Sequence, residues 1–132
     1  ILPLLKTDLV TVIQACIDGR LDQIELEWDN QNCVCVVMAA GGYPDSYKKG
    51  YPISGLEEAA QAEDTVIFHA GTKRQEEQIV TAGGRVLGVT AWAPDLAGAV
   101  ERAYRAVHRI HWTDVTFRHD IGAKGVRREN SW

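Results

Sequence analysis

The chain has 132 residues, 45% of them hydrophobic and 24% charged, a make-up that excludes intrinsic disorder and allows a buried core. Its longest unbroken apolar run, residues 33–40, falls far short of the roughly 20 residues of a membrane-spanning helix, and no basic-then-apolar leader pattern opens the sequence. Fourteen Lys and Arg against eighteen Asp and Glu give a net charge of −4, so nothing global attracts nucleic acid or an acidic membrane, and any anion site must be local.

The chain opens on Ile1-Leu2-Pro3-Leu4-Leu5, with no initiator Met, and reads as the middle of something longer. Thr7 or Asp8 caps a predicted helix that places Leu9, Val12, Ile13, Cys16 and Ile17 on one buried face before Gly19 stops it. Ile24, Leu26 and Trp28 alternate with acidic residues, the period of a strand with one wet face. Residues 33–40 are apolar on both faces, as in a fully buried strand. Three cysteines are too few for a disulfide framework, and Cys16, Cys33 and Cys35 read as buried reduced thiols.

Residues 41–56 form a long loop rich in Gly, Pro, Tyr and Lys, a candidate for function on length alone. Residues 57–64 are short and polar, and residues 65–69 are strand-like. Residues 78–81 and 85–91 flank Ala82-Gly83-Gly84, a hairpin signal. Pro94 and Asp95 open the longest helix, with Leu96, Val100, Ala103, Tyr104, Val107 and Ile110 on its buried side and Glu101 paired to Arg105 outside. Residues 115–117 make a closing strand, and residues 124–132 a frayed tail. The order predicts an α+β fold, a small curled, barrel-like antiparallel sheet covered by a helix.

The nucleotide loops with defined glycine spacing are absent. Gly71-Thr72-Lys73 lacks the leading glycine of a Walker loop, and Gly83 to Gly88 runs from a turn into a strand rather than from a strand into a helix. No Ser-His-Asp arrangement or nucleophile elbow is visible. His108 and His111 sit at a helix end, where the dipole accounts for them without a metal, and only His69 is placed for a pocket. What remains are cations beside glycines at Lys48-Lys49-Gly50, Gly71-Thr72-Lys73 and Gly83-Gly84-Arg85, together with Arg118 in Arg118-His119-Asp120. Glycine lets backbone N–H groups approach an anion, and the neighbouring cation adds charge-assisted bonds. The bland reading of each is a solvated surface cation. Arg85 departs from it because it enters a strand directly from a Gly-Gly turn.

These segments together resemble one family. Gly41-Gly42-Tyr43-Pro44, Tyr47, Lys49-Gly50, Ile53, Gly55-Leu56, Phe68-His69-Ala70-Gly71-Thr72-Lys73, Thr81, Gly83 through Ala91, Arg118 and Asp120-Ile121-Gly122 occur in the order and spacing of the C-terminal part of the phosphoribosylamine-glycine ligases. The pattern departs at Asp45, Ala82, Trp92 and Ala123, none of which removes a candidate charge.

The resemblance implies an ATP-grasp ligase of purine biosynthesis in the cytoplasm, using ATP and Mg (or Mn) to join 5-phosphoribosylamine and glycine. It implies that residues 1–32 are the last helix and strand of an ATP-grasp domain, 33–125 the C-terminal domain and 126–132 a tail. The ATP-grasp and N-terminal domains of the same longer chain would be its partners, with no nucleic acid and no membrane. The metal-holding residues of the family lie upstream of the matching segment, so no metal ligand and no catalytic residue is expected here, and the segment alone should not turn over. The implied substrate-binding residues are Arg85, Gly84, Lys73, Gly71, Arg118 and Lys49, with an internal salt bridge to Asp120 the alternative for Arg118. The competing reading is a stand-alone module that kept the fold and uses Arg85 for another phosphorylated ligand. A carboxylating relative from the same pathway or a biotin carboxylase fits segments 68–73 and 83–91 less well.

Overall fold

The computed structural model describes residues 1–129. In chain order the regular elements are helix α1 (Leu9–Ile17), strand β1 (Asn32–Ala40), helix α2 (Leu56–Ala60), strands β2 (Thr65–His69), β3 (Thr72–Gln75), β4 (Gln78–Thr81) and β5 (Arg85–Ala93), helix α3 (Leu96–Val107), strand β6 (Val115–Phe117) and helix α4 (Ala123–Glu129). Four strands form one sheet in the order β2-β5-β1-β6, and β3 and β4 form a separate pair. Every pairing is antiparallel, so the fold is α+β with a covering helix.

The core lies between α3 and one face of the four-stranded sheet. The 3.6-residue period of α3 puts Ala99, Ala103, Ala106 and Val107 on one stripe, all buried with Val34, Val36, Met38, Val86 and Val89. Alanine on that stripe lets the helix lie close over the sheet, and the β-branched residues fill the pleated surface beneath it. Asp95 starts the helix: its carboxylate accepts a hydrogen bond from the Gly98 N–H at 2.7 Å. Arg102 ties the helix to the sheet through an ion pair with Asp64 and a hydrogen bond of 2.9 Å to the Trp92 carbonyl. Arg105 and Glu101 pair one turn apart at 2.5 Å on the outer face.

Several sequence expectations change. Ala82-Gly83-Gly84 is not a hairpin: β4 pairs with β3 and β5 with β1 and β2, so the glycines carry the chain from one sheet to the other. The hairpin that does form joins β3 to β4 at Glu76-Glu77, with Glu76 at φ 54°. Residues 24–28 make no strand, since a strand needs a ladder and the backbone reaching them is that of Leu4 to Thr7, through the Leu5 to Trp28 bridge and the Lys6 N–H to the Glu27 carbonyl at 2.9 Å. The helix α1 is capped by Asp8 as expected (Thr11 N–H, 2.9 Å), yet of its residues only Ala15 is buried, and Leu9, Ile13, Cys16 and Ile17 are exposed. As far as Met38, β1 is buried on one face only, leaving Cys35 and Val37 exposed and Cys33 half-buried, so the thiols are free but not interior. The predicted tail forms α4 up to Glu129; residues 130–132 of that expectation lie outside the described residues.

Replacing Asp95 by Ala removes the cap of the helix that covers the core. Denaturant unfolding of Asp95→Ala should show a stability loss of about 1 kcal/mol, and an unchanged midpoint would show that the cap contributes nothing.

Candidate functional site

The alternation of β1 places Met38 in the core, so Val37 points to the opposite, open face. Val37 stands opposite Gly88 on β5, and Gly88 in turn opposite Phe68 on β2. This row has a side chain at each end and none in the middle. Val37 and Phe68 are 43% and 39% exposed, and between them opens a cleft of about 530 Å³ lined by Val37, Tyr43, Phe68, Ala70, Gly84, Arg85, Leu87 and Gly88.

Arg85 reaches this cleft through an irregularity in pairing. Met38 opposes Leu87 but Ala39 opposes Arg85, so Val86 is an extra residue in β5. Strict alternation would put Arg85 on the core side with Leu87. The bulge inverts the parity, buries Val86 and Leu87 together, and leaves Arg85 exposed at the mouth of the cleft. Among the described residues its guanidinium has no ion-pair or hydrogen-bond partner, in contrast to Arg20, Arg102, Arg105, Arg109 and Arg118, each of which holds a carboxylate.

The glycines around it act differently from the sequence expectation. The Gly71 N–H donates to the Arg85 carbonyl at 2.9 Å, the Gly71 carbonyl accepts from Ala82 at 2.7 Å and from Gly83 at 3.1 Å, and the Gly50 N–H donates to Thr81 at 2.7 Å. The N–H groups of Gly50, Gly71 and Gly83 therefore face protein, not an incoming anion. Their contribution is closeness: a Cβ on Gly71 would lie 2.6 Å from Gly83 Cα. One on Gly84 would overlap the ring of Tyr43, approaching its Cε2 to 2.8 Å. Glycine here lets two segments meet where a side chain would hold them apart.

The other candidates are dispersed. Lys49 lies over the Tyr47 ring, 5.6 Å from its centroid, and Tyr47 meets Tyr43 edge-on at 6.2 Å, which connects Lys49 to the Gly84 side of the cleft. Lys48 lines a separate polar hollow of about 300 Å³ with Ser46, Tyr51 and Asp114. Lys73 is exposed on β3 opposite Val80 and does not line the cleft. Arg118 makes a two-pronged pair with Asp120, at 2.9 and 2.7 Å, and its carbonyl accepts the Tyr104 hydroxyl at 2.6 Å. The hydrogen bond from Arg118 holds the Asp120 carboxyl below the usual carboxylate range, and the same bond raises the Arg118 pKa. His69 bonds Thr72 Oγ1 through Nδ1 at 3.0 Å and lines a different hollow with Glu57 and Arg74. No group of three or more His, Cys, Asp or Glu among the described residues is placed to hold a metal ion. None of their helices is long and apolar enough to cross a membrane.

Tyr43, Phe68, Val37 and Gly88 were not among the sequence candidates for the cleft. Their signal is register: only the pairing of β5 with both β1 and β2 puts Val37 and Phe68 on either side of Gly88.

Residues 33–124 match the family described as phosphoribosylglycinamide synthetase, C domain. A phosphoribosylamine-glycine ligase of Synechocystis sp. is 50% identical over 127 residues, 96% of this chain and 30% of that protein. The ligase of Vibrio cholerae is 47% identical over the same share of the chain, and a bifunctional purine biosynthetic protein of Dictyostelium discoideum 44%. The crystal structure of phosphoribosylamine-glycine ligase from Thermotoga maritima superposes with a TM-score of 0.66 at 31% identity, covering 82% of this chain and 26% of that one. The chain thus spans about 30% of the length of the first curated relatives it matches.

The Arg118–Asp120 pair gives a test that needs no ligand. A carboxyl whose pKa is lowered in the folded state contributes stability above its unfolded pKa and loses it as pH falls through the folded value. The Asp120 carboxyl, followed by NMR, should therefore titrate below the ordinary aspartate range, and Arg118→Gln should move its midpoint upward. A midpoint unmoved by that substitution would mean the pair does not form.

Proposed function

The chain belongs to the phosphoribosylglycinamide synthetase C-domain family, and on that premise we propose that it is the closing portion of a ligase. That ligase joins 5-phosphoribosylamine and glycine at the expense of ATP, in purine biosynthesis. In this reading residues 1–32 complete an ATP-grasp domain, 33–125 form the C-terminal domain and 126–132 a tail. The upstream domains of the same longer chain hold ATP and Mg or Mn. No residue of this chain is assigned to the metal. The free thiols fit a cytoplasmic protein.

The reaction has two displacements. A glycine carboxylate oxygen attacks the γ-phosphorus of ATP and ADP leaves. The amine of phosphoribosylamine then attacks the carbonyl carbon of the acyl phosphate, the C–O bond to phosphate breaks, and the nitrogen loses a proton to give glycinamide ribonucleotide. The acyl phosphate must be kept from water and the amine held in line, which is a task of positioning and closure.

Within this reading Arg85 contacts the phosphate of phosphoribosylamine. The observation that carries it is an unpaired guanidinium at the mouth of an apolar-floored cleft, turned there by a bulge. Gly84 and Gly71 shape the approach by letting Tyr43 and Gly83 close in. Lys49 and Lys73, outside the cleft lining, add to the positive field only at longer range. Arg118 meets substrate with Asp120 attached, as an ion pair of little net charge.

Two outcomes are expected. The 132-residue chain alone should show no ATP-dependent ligation. In the complete ligase, Arg85→Ala should raise KM for phosphoribosylamine, at a cost of about 1.5 to 3 kcal/mol or roughly one to two decades in kcat/KM. An unchanged value would return Arg85 to the class of solvated surface cations.

A further inference from the structure

A single arginine holds any phosphate monoester, so a site built on Arg85 alone would not tell a sugar phosphate from an open-chain one. Discrimination has to come from the rest of the cleft. Apart from Arg85, its lining carries no charged side chain: Val37, Phe68, Ala70 and Gly88 form an apolar floor with the core residue Leu87 behind it, and Tyr43 stands beside them with Gly84. Two glycines shape this space in opposite ways. At Gly88 a Cβ would sit 3.3 Å from Cys35 Sγ and 3.8 Å from Phe68 Cβ, so its absence keeps the floor open between Val37 and Phe68. At Gly84 the missing Cβ is the space that the Tyr43 ring occupies. Tyr47, edge-on to Tyr43, backs that ring from the loop.

We propose that Tyr43 is a specificity-determining residue of this cleft and Gly84 the positioning residue that seats it. The ring forms a wall facing the apolar floor, so that a ligand phosphate held by Arg85 is followed by a compact sugar ring packed against the aromatic face. An open-chain monoester gains little from that wall. The inference rests on the reading of Arg85 as the phosphate contact, and it assigns the ring of Tyr43, not its hydroxyl, as the selecting element.

The test measures competitive inhibition against phosphoribosylamine in the complete ligase, with ribose 5-phosphate and glycerol phosphate as probes. The unaltered enzyme should prefer ribose 5-phosphate. Tyr43→Ala should weaken ribose 5-phosphate about tenfold and leave glycerol phosphate nearly unchanged, with KM for ATP and glycine unaltered. Tyr43→Phe should retain the preference within about twofold, and Gly84→Ala should lose it as Tyr43→Ala does. Should Gly84→Ala fail to fold, the two Tyr43 variants decide. Arg85→Ala should weaken both probes alike. If it weakens neither, the phosphate reading of Arg85 is wrong. If it weakens both while Tyr43→Ala leaves their ratio intact, the phosphate reading stands and the role given to Tyr43 is overturned.

Discussion

The site depends on one extra residue in a ladder. Strands alternate their side chains with a period of two, and β1 and β5 keep strict register from Asn32 and Ala93 to Met38 and Leu87. There Val86 is inserted without a partner, and Arg85, the first residue of β5, changes face. Two consecutive residues of β5 can then both enter the core, and the cation that precedes them emerges on the open side. The same step lies beside the crossing between the two sheets, where Gly71 and Gly83 touch backbone to backbone. Bulge, crossing and cation form one local arrangement, held by the buried Val86 and Leu87 on one side and the Gly71 hydrogen bonds on the other.

The charge pattern supports this arrangement by subtraction. The chain is net acidic, and Arg20, Arg102, Arg105, Arg109 and Arg118 are each answered by Asp or Glu at 3.5 Å or less. Those pairs organise the fold, most clearly Arg102, which joins α3 to the loop before β2 and to the end of β5. Among the described residues Arg85 shares its lack of an ion pair with Lys48, Lys49, Lys73 and Arg74, and what distinguishes it from them is its place in the lining of the apolar-floored cleft. The overall acidity and a local anion site are therefore compatible.

Much of the scaffold is legible in the sequence because the relevant signals are local. Thr65–His69 has strand composition bounded by turns, and α3 carries its cap, its stripe and its outer ion pair within one short span. Arg85 stands out for the same reason, between two glycines and a strand. The features that escape are those made by distant segments. The β3–β4 hairpin turns on Glu76-Glu77, which has no glycine or asparagine, whereas Ala82-Gly83-Gly84 has the glycines but uses them for contact. The open face of β1 looks buried in the sequence because residue type cannot say which side of a sheet a helix covers. Only pairing partners place Val37, Gly88 and Phe68 in one row, and only the returning loop brings Tyr43 to Gly84.

The Tyr43 and Gly84 contact also sets a rule of substitution between sequence positions far apart in the chain. Gly84 is glycine because a ring fills the place of its side chain, not because its backbone takes a conformation closed to other residues. Gly84 is therefore free to gain a side chain only where Tyr43 gives up its ring. A relative carrying alanine at the position of Gly84 should carry a small side chain at the position of Tyr43, and the two should covary as a hand does with its glove.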